Sequence, residues 1–213
     1  MNMTKFEGNH YSHTKIQGNS LIGEIIETAV AGLRAMFDPG KNLFCFKRVK
    51  GENGLFNEGI SLRYTIISLL GLESLEKNNL RHTNPYKSML ERLKIHLNEI
   101  DNIGDLGLLI WLYAISSPGQ LFEIIDFINN TNPLERYADA IQGKTTELAW
   151  FLTGLSYAAL VHGEKGDYLN ELGDKTYGLI KRNYYGEGIF GHVRKSTLSG
   201  IFRARIGSLA DQV

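Results

Sequence analysis

From Ser20 onward the chain alternates between stretches that are apolar on one helical face and stretches that are apolar on nearly every face. Leu21, Ile25, Ile26, Ala29, Leu33 and Phe37 recur at helical spacing after Ser20, a helix-capping residue type, and Asp38-Pro39-Gly40 stops the run. The spacing predicts an amphipathic helix there and others beginning near positions 85, 118 and 167, where Pro85, Pro118 and Asp167 are starting residues. The helices predicted to begin near 60, 104, 145 and 200 carry few polar residues. A helix apolar all round is expected to be buried all round. Gly71, Gly107, Gly154 and Gly207 lie inside these four. Each costs about 1 kcal/mol against alanine, which is tolerable where backbones pack closely. Two segments break the pattern, NLFCFKRVKGENGLFNE after Lys41 and YYGEGIFGHVRKSTLSG after Asn183. The first reads as a hairpin or ordered loop, and the second is a similar glycine-rich aromatic segment.

The apolar helices start roughly 40 to 55 residues apart, which is the signature of an internal repeat of helical hairpins. Asp105-Leu106-Gly107, Glu147-Leu148-Ala149 and Arg205-Ile206-Gly207 each set one charge before an aliphatic and a small residue. Leu70-Gly71-Leu72 corresponds to Thr153-Gly154-Leu155, and Asn42-Leu43-Phe44-Cys45-Phe46 to Gly188-Ile189-Phe190-Gly191-His192. The reading is an all-α chain with a polar leader over residues 1–19 and one repeat domain over 20–213.

This pattern, outer amphipathic helices alternating with inner apolar ones behind glycine-aromatic loops, resembles the α/α-toroid. That barrel of helical hairpins is shared by six-hairpin glycosidases, sugar epimerases, terpenoid cyclases and lanthionine cyclases. The likeness covers Ser20 to Val213 and lies in periodicity and loop style. A full toroid has more hairpins than the four predicted here, so the chain is expected to be the amino-terminal part of a longer protein and, by itself, to self-associate. Lanthionine cyclases and prenyltransferases hold zinc with cysteine and histidine, which the lone Cys45 does not supply, and the DXDD motif of class II terpene cyclases does not occur.

Composition narrows the partners. The 23 Lys and Arg balance 23 Asp and Glu, so no net field recruits nucleic acid or a membrane surface. The start MNMTKFEGNHYSH has no apolar core, and Leu148 to Val161 falls short of the roughly 20 residues needed to span a bilayer. A cytoplasmic location, no cofactor and no metal are expected.

In a toroid the amino ends of the inner helices converge on one mouth, and the resemblance therefore implies a site there. Asp105 and Glu147 occupy first turns of neighbouring inner helices and are the candidate catalytic pair. Glycoside chemistry uses two carboxylates about 5 to 10 Å apart, although acids in a first turn also simply complement the helix dipole. His192, in the FGHVRK loop, is the third catalytic candidate, as a general acid or base near neutral pH or else a solvated loop residue. Glu58, Arg63, Glu187, Arg203 and Arg205 are the candidate substrate-binding residues. Arg63, Arg203 and Arg205 stand in otherwise apolar helices and need a partner, either an internal acid or a carboxylate or phosphate on a sugar. Positions 203 and 205 point about 200° apart around a helix, so only one faces a barrel. Trp111, Tyr113, Trp150 and Tyr157 are core residues or stacking platforms for sugars. The activity implied is that of a carbohydrate-active enzyme, a glycoside hydrolase, lyase or epimerase acting on a saccharide. The alternatives are a noncatalytic helical-repeat protein that binds a glycan or a protein partner through the same mouth, and an isoprenoid-cyclase-like enzyme.

Overall fold

The computed structural model describes residues 21–52, 54–78, 86–138, 144–162 and 167–193. The polar leader and the helix expected near 200, with Arg203, Arg205 and Gly207, lie outside the described residues.

The amphipathic run after Ser20 is helix α1 (Leu21–Met36). Beyond it the Asp38 carboxylate accepts the N–H groups of Gly40 and Lys41 at 2.9 and 3.0 Å, and Asn42 takes φ 56°, so the chain reverses at once. Strands β1 (Phe37–Asp38), β2 (Leu43–Gly51) and β3 (Gly54–Ile60) form an antiparallel sheet in that order. Ser61 then caps helix α2 (Leu62–Lys77), its hydroxyl accepting the Tyr64 N–H at 3.1 Å. Helices α3 (Tyr86–Ile95), α4 (Ile103–Ser116) and α5 (Leu121–Thr131) follow. The run expected to extend α3 to Ile100 closes instead with a separate 3₁₀ turn at Leu97–Glu99, and Pro118–Gln120 is a 3₁₀ turn leading into α5. After a further 3₁₀ segment, Pro133–Ala138, come α6 (Thr145–His162), α7 (Asp167–Lys181) and the paired strands β4 (Tyr184–Gly186) and β5 (Ile189–Phe190).

The fold is thus mostly helical with small antiparallel sheets, which corrects the all-α expectation. In their described residues the two glycine-aromatic segments both form hairpins. Backbone leaving a helix needs new partners for its N–H and C=O groups, and residues with positive φ let it fold back to find them. Asn42 does this ahead of β2, and Glu187 (φ 53°) with Gly188 (φ 80°) does it ahead of β5. The sequence correspondence between the two segments is therefore also structural. Phe37 pairs with Phe44, ring centroids 5.9 Å apart, where Tyr184 pairs with Phe190 at 5.1 Å. In both places an outer helix runs straight into a hairpin.

The three described apolar helices lie side by side and parallel, with α4 in the middle. Contacts advance in the same direction along each pair: Arg63 to Asp105 and Lys77 to the Ile115 carbonyl join α2 to α4. Gly104 lies against Glu147, and Trp111 stacks on Tyr157 at 5.0 Å, joining α4 to α6. The amphipathic helices return antiparallel. The Tyr137 hydroxyl, just past α5, accepts the Ile103 N–H at the start of α4 at 3.0 Å, and Asn183, just past α7, donates to Thr145 at the start of α6 at 2.9 Å. The α1 end is tied to the same level by the Asn57 side chain, which donates to the Ala35 carbonyl at 3.1 Å.

Burial on every face holds for α4 but not for its neighbours. Almost all of α4 from Ile103 to Ala114 is buried, and Tyr113 donates its hydroxyl to the Leu90 carbonyl at 2.7 Å, fastening α3 behind it. On α2, Tyr64 and Ile67 are exposed, and on α6 Leu160 is 80% exposed. Among the described residues only α4 has an apolar helix on both sides. The inner glycines divide likewise. A Cβ on Gly107 would strike the Phe151 backbone and the Trp150 carbonyl, and one on Gly154 would strike the Gly107 carbonyl, so α4 and α6 are in backbone contact. Gly71 faces open space, contrary to the close packing expected of it. Among the described residues no helix is long and apolar enough to cross a membrane.

Candidate functional site

Because α2, α4 and α6 are parallel, their first turns reach one end of the helical array together. Each turn contributes one charge: Arg63, Asp105 and Glu147. The Asn102 side chain sets the α4 end by accepting the N–H groups of Gly104 and Asp105 at 2.8 and 3.3 Å, which fixes the backbone from which the Asp105 carboxylate projects.

Arg63 and Asp105 form an ion pair across the helix boundary, Nε to Oδ1 at 2.6 Å. The guanidinium carbon also lies 5.7 Å from the centre of the Trp150 ring, a cation–π contact with the third helix. Glu147 is held differently. It accepts the Lys144 ammonium at 3.2 Å, and the Tyr137 hydroxyl, which accepts the Ile103 N–H, lies close enough to feel its charge. Asp105 and Glu147 have side chains only 14% exposed, whereas Arg63 is 39% and Lys144 45% exposed. The acids sit inside and the cations cover them.

The electrostatics follow from that layering. Burial holds the Asp105 carboxyl above the ordinary carboxylate range, with Arg63 pulling it down and the Glu147 charge pushing it further up. Arg63 is held more firmly protonated than usual, first by its hydrogen bond to Asp105. The two directions do not mirror each other. The carboxyl has lost more of its water than the guanidinium, and one partly exposed cation does not restore it. Tyr137 is also raised, by burial first, with the nearby Glu147 charge adding to it.

The remaining candidates are placed unevenly. The Thr145 N–H donates to the His192 carbonyl at 2.9 Å and the Thr145 hydroxyl donates to the Gly191 carbonyl, so the second hairpin is fastened to the start of α6. His192 therefore reaches the same end of the array as Glu147, through its main chain and with a half-buried side chain. Glu187 is at the exposed turn between β4 and β5. Glu58 is paired on β3 with Lys47 of β2 at 3.1 Å and is exposed. Neither shares the Arg63–Asp105–Glu147 contacts. Next to Arg63, Tyr64 stacks on Phe46 at 5.6 Å with both rings half in solvent, adding an aromatic surface at this end.

Tyr137 and Lys144 belong to this cluster although the sequence reading did not single them out. Lys144 was findable, because it precedes Glu147 by the three residues that bring side chains together on a helix. Tyr137 comes from a 3₁₀ turn after α5 and carries no local signal. Among the described residues no group of three or more His, Cys, Asp or Glu is placed to hold a metal ion. Comparison of the chain with protein-family models, with curated proteins and with solved structures finds no match.

Proposed function

We propose that this chain is a carbohydrate-active protein of the α/α-toroid type, taking a saccharide at the amino ends of α2, α4 and α6. The observation that carries the reading is the assembly at that end of two largely buried carboxylates, Asp105 and Glu147, from adjacent parallel helices, beside an arginine and the Trp150 ring. Two-carboxylate chemistry needs one group protonated as acid and one ionised as base or nucleophile. Asp105, with its carboxyl raised by burial, is suited to the acid role. Glu147, on the adjacent helix and paired with Lys144, is the second carboxylate. Trp150 and the Phe46–Tyr64 stack provide apolar faces for the C–H surfaces of sugar rings.

A second reading is favoured by a specific observation. Both carboxylates already hold a protein cation, Arg63 on Asp105 and Lys144 on Glu147. Charges balanced internally suit a noncatalytic glycan-binding protein as well as an enzyme. The test is to incubate the protein with a panel of oligosaccharides, following reducing-end release and unsaturated products, alongside the Glu147→Gln variant. Turnover that falls by orders of magnitude in a variant of unchanged melting temperature supports the enzyme. Binding without turnover in both proteins supports the second reading, and neither binding nor turnover rejects the saccharide proposal.

A further inference from the structure

Among the described residues the guanidinium of Arg63 is only partly used. It has five N–H donors, and Asp105 takes the one on Nε at 2.6 Å. Among the described residues no acceptor meets its two terminal nitrogens, and the side chain is 39% exposed. Its plane is nevertheless constrained on two sides, by the ion pair at one edge and by the Trp150 ring 5.7 Å away. A constrained guanidinium with a free outer edge gives up little rotamer entropy on meeting a ligand, and that edge matches the two oxygens of a carboxylate or sulfate. Neutralising Asp105 would not require the side chain to stay partly in solvent.

We propose that Arg63 is a recognition arm for an oxyanion carried by the saccharide, a uronate carboxylate or a sulfate ester, with Asp105 and Trp150 as the residues that position it. The proposal rests on the saccharide reading and narrows it to acidic sugars. The charges around the arm tolerate such a group: with both carboxylates ionised Arg63 and Lys144 balance Asp105 and Glu147, and with Asp105 protonated the cluster is net positive, so an approaching monoanion meets no net negative field. Lysine at position 63 would keep the charge and lose the planar fork, and is expected to serve poorly.

The experiment measures binding of wild type, Arg63→Gln and Arg63→Lys to a panel of uronate-bearing, sulfated and neutral oligosaccharides, with inorganic sulfate as a separate ligand. Urea midpoints verify folding, and Arg63→Lys serves if Arg63→Gln fails to fold. The expected result is binding confined to acidic members, weakened more than tenfold in Arg63→Gln and several-fold in Arg63→Lys. Neutral members binding as tightly, or acidic members indifferent to both substitutions, would overturn this inference and leave the saccharide reading standing. Arg63-dependent binding of sulfate with no oligosaccharide bound would keep the oxyanion arm and remove the saccharide. No binding of any member or of sulfate overturns both.

Discussion

Gly154 lies so close to Gly107 that a Cβ on it would enter the Gly107 backbone, and a Cβ on Gly107 would enter the α6 backbone at Trp150 and Phe151. This contact sets the spacing of the two helices, and through it the meeting of Gly104 with Glu147 and of Arg63 with Trp150.

The first prediction follows from that spacing. Gly107→Ala and Gly154→Ala should each destabilise the fold by about 1 to 3 kcal/mol or more, because the added methyl overpacks against backbone, which cannot rotate away. Gly71→Ala meets no atom within 4 Å and should stabilise by about 0.5 to 1 kcal/mol through helix propensity. Urea unfolding of the three variants checks the contrast. A Gly154→Ala protein as stable as wild type would mean that the helices are not in backbone contact.

Loss of a helix cap provides the second. Asn102→Ala removes the acceptor for the Gly104 and Asp105 N–H groups and should cost about 1 kcal/mol. Asn102→Asp should recover most of it at neutral pH, since aspartate caps equally well. Equal losses in the two variants would point away from capping.

Asp105 gives a pH dependence. Its native value is raised above 3.8, so the native state binds the proton more tightly than the unfolded chain does. The stability this contributes is present below 3.8 and is lost as pH rises through the native value. Asp105→Asn lacks the titration. The unfolding free energy of wild type minus that of the variant should therefore decline as pH rises through this window. A difference that climbs instead would show that the pairing with Arg63 outweighs burial.

Tyr113 gives the alkaline counterpart. Burial raises its hydroxyl above 10.0, with the Glu91 and Glu123 charges adding to the effect. The unfolded chain ionises first, so stability present below 10.0 should fall as pH rises beyond it. Tyr113→Phe should lose about 1 kcal/mol at neutral pH, with the hydrogen bond to Leu90, and should show a shallower alkaline decline. Parallel alkaline unfolding curves for the two proteins would count against this account.

Much of the architecture was legible locally. Apolar periodicity placed the described helices, Asp38-Pro39-Gly40 marked the end of α1, and Ser61 at the start of α2 shows the same capping chemistry. The correspondence of Asn42-Leu43-Phe44 with Gly188-Ile189-Phe190 anticipated two related hairpins, because positive-φ residues and paired aromatics are local requirements. Asp105 and Glu147 were expected side by side from their equivalent repeat positions, whereas Arg63 was expected at the same end only through the toroid resemblance.

What local pattern did not carry was the choice of partner. The same apolar composition reads alike in α2, α4 and α6, yet among the described residues only α4 is buried along almost its whole length, because enclosure depends on neighbours that come from distant parts of the chain. An internal glycine likewise looks the same at 71 and at 107, and only packing decides that one faces space and the other faces Phe151. The sequence determined where helices and hairpins form and which charges begin the inner helices, since those are set by neighbours a few residues away. Tertiary structure decided that Arg63 pairs with Asp105 and not Glu147, and that Tyr137 comes near the Glu147 charge, because only the packing of helices brings these residues within reach.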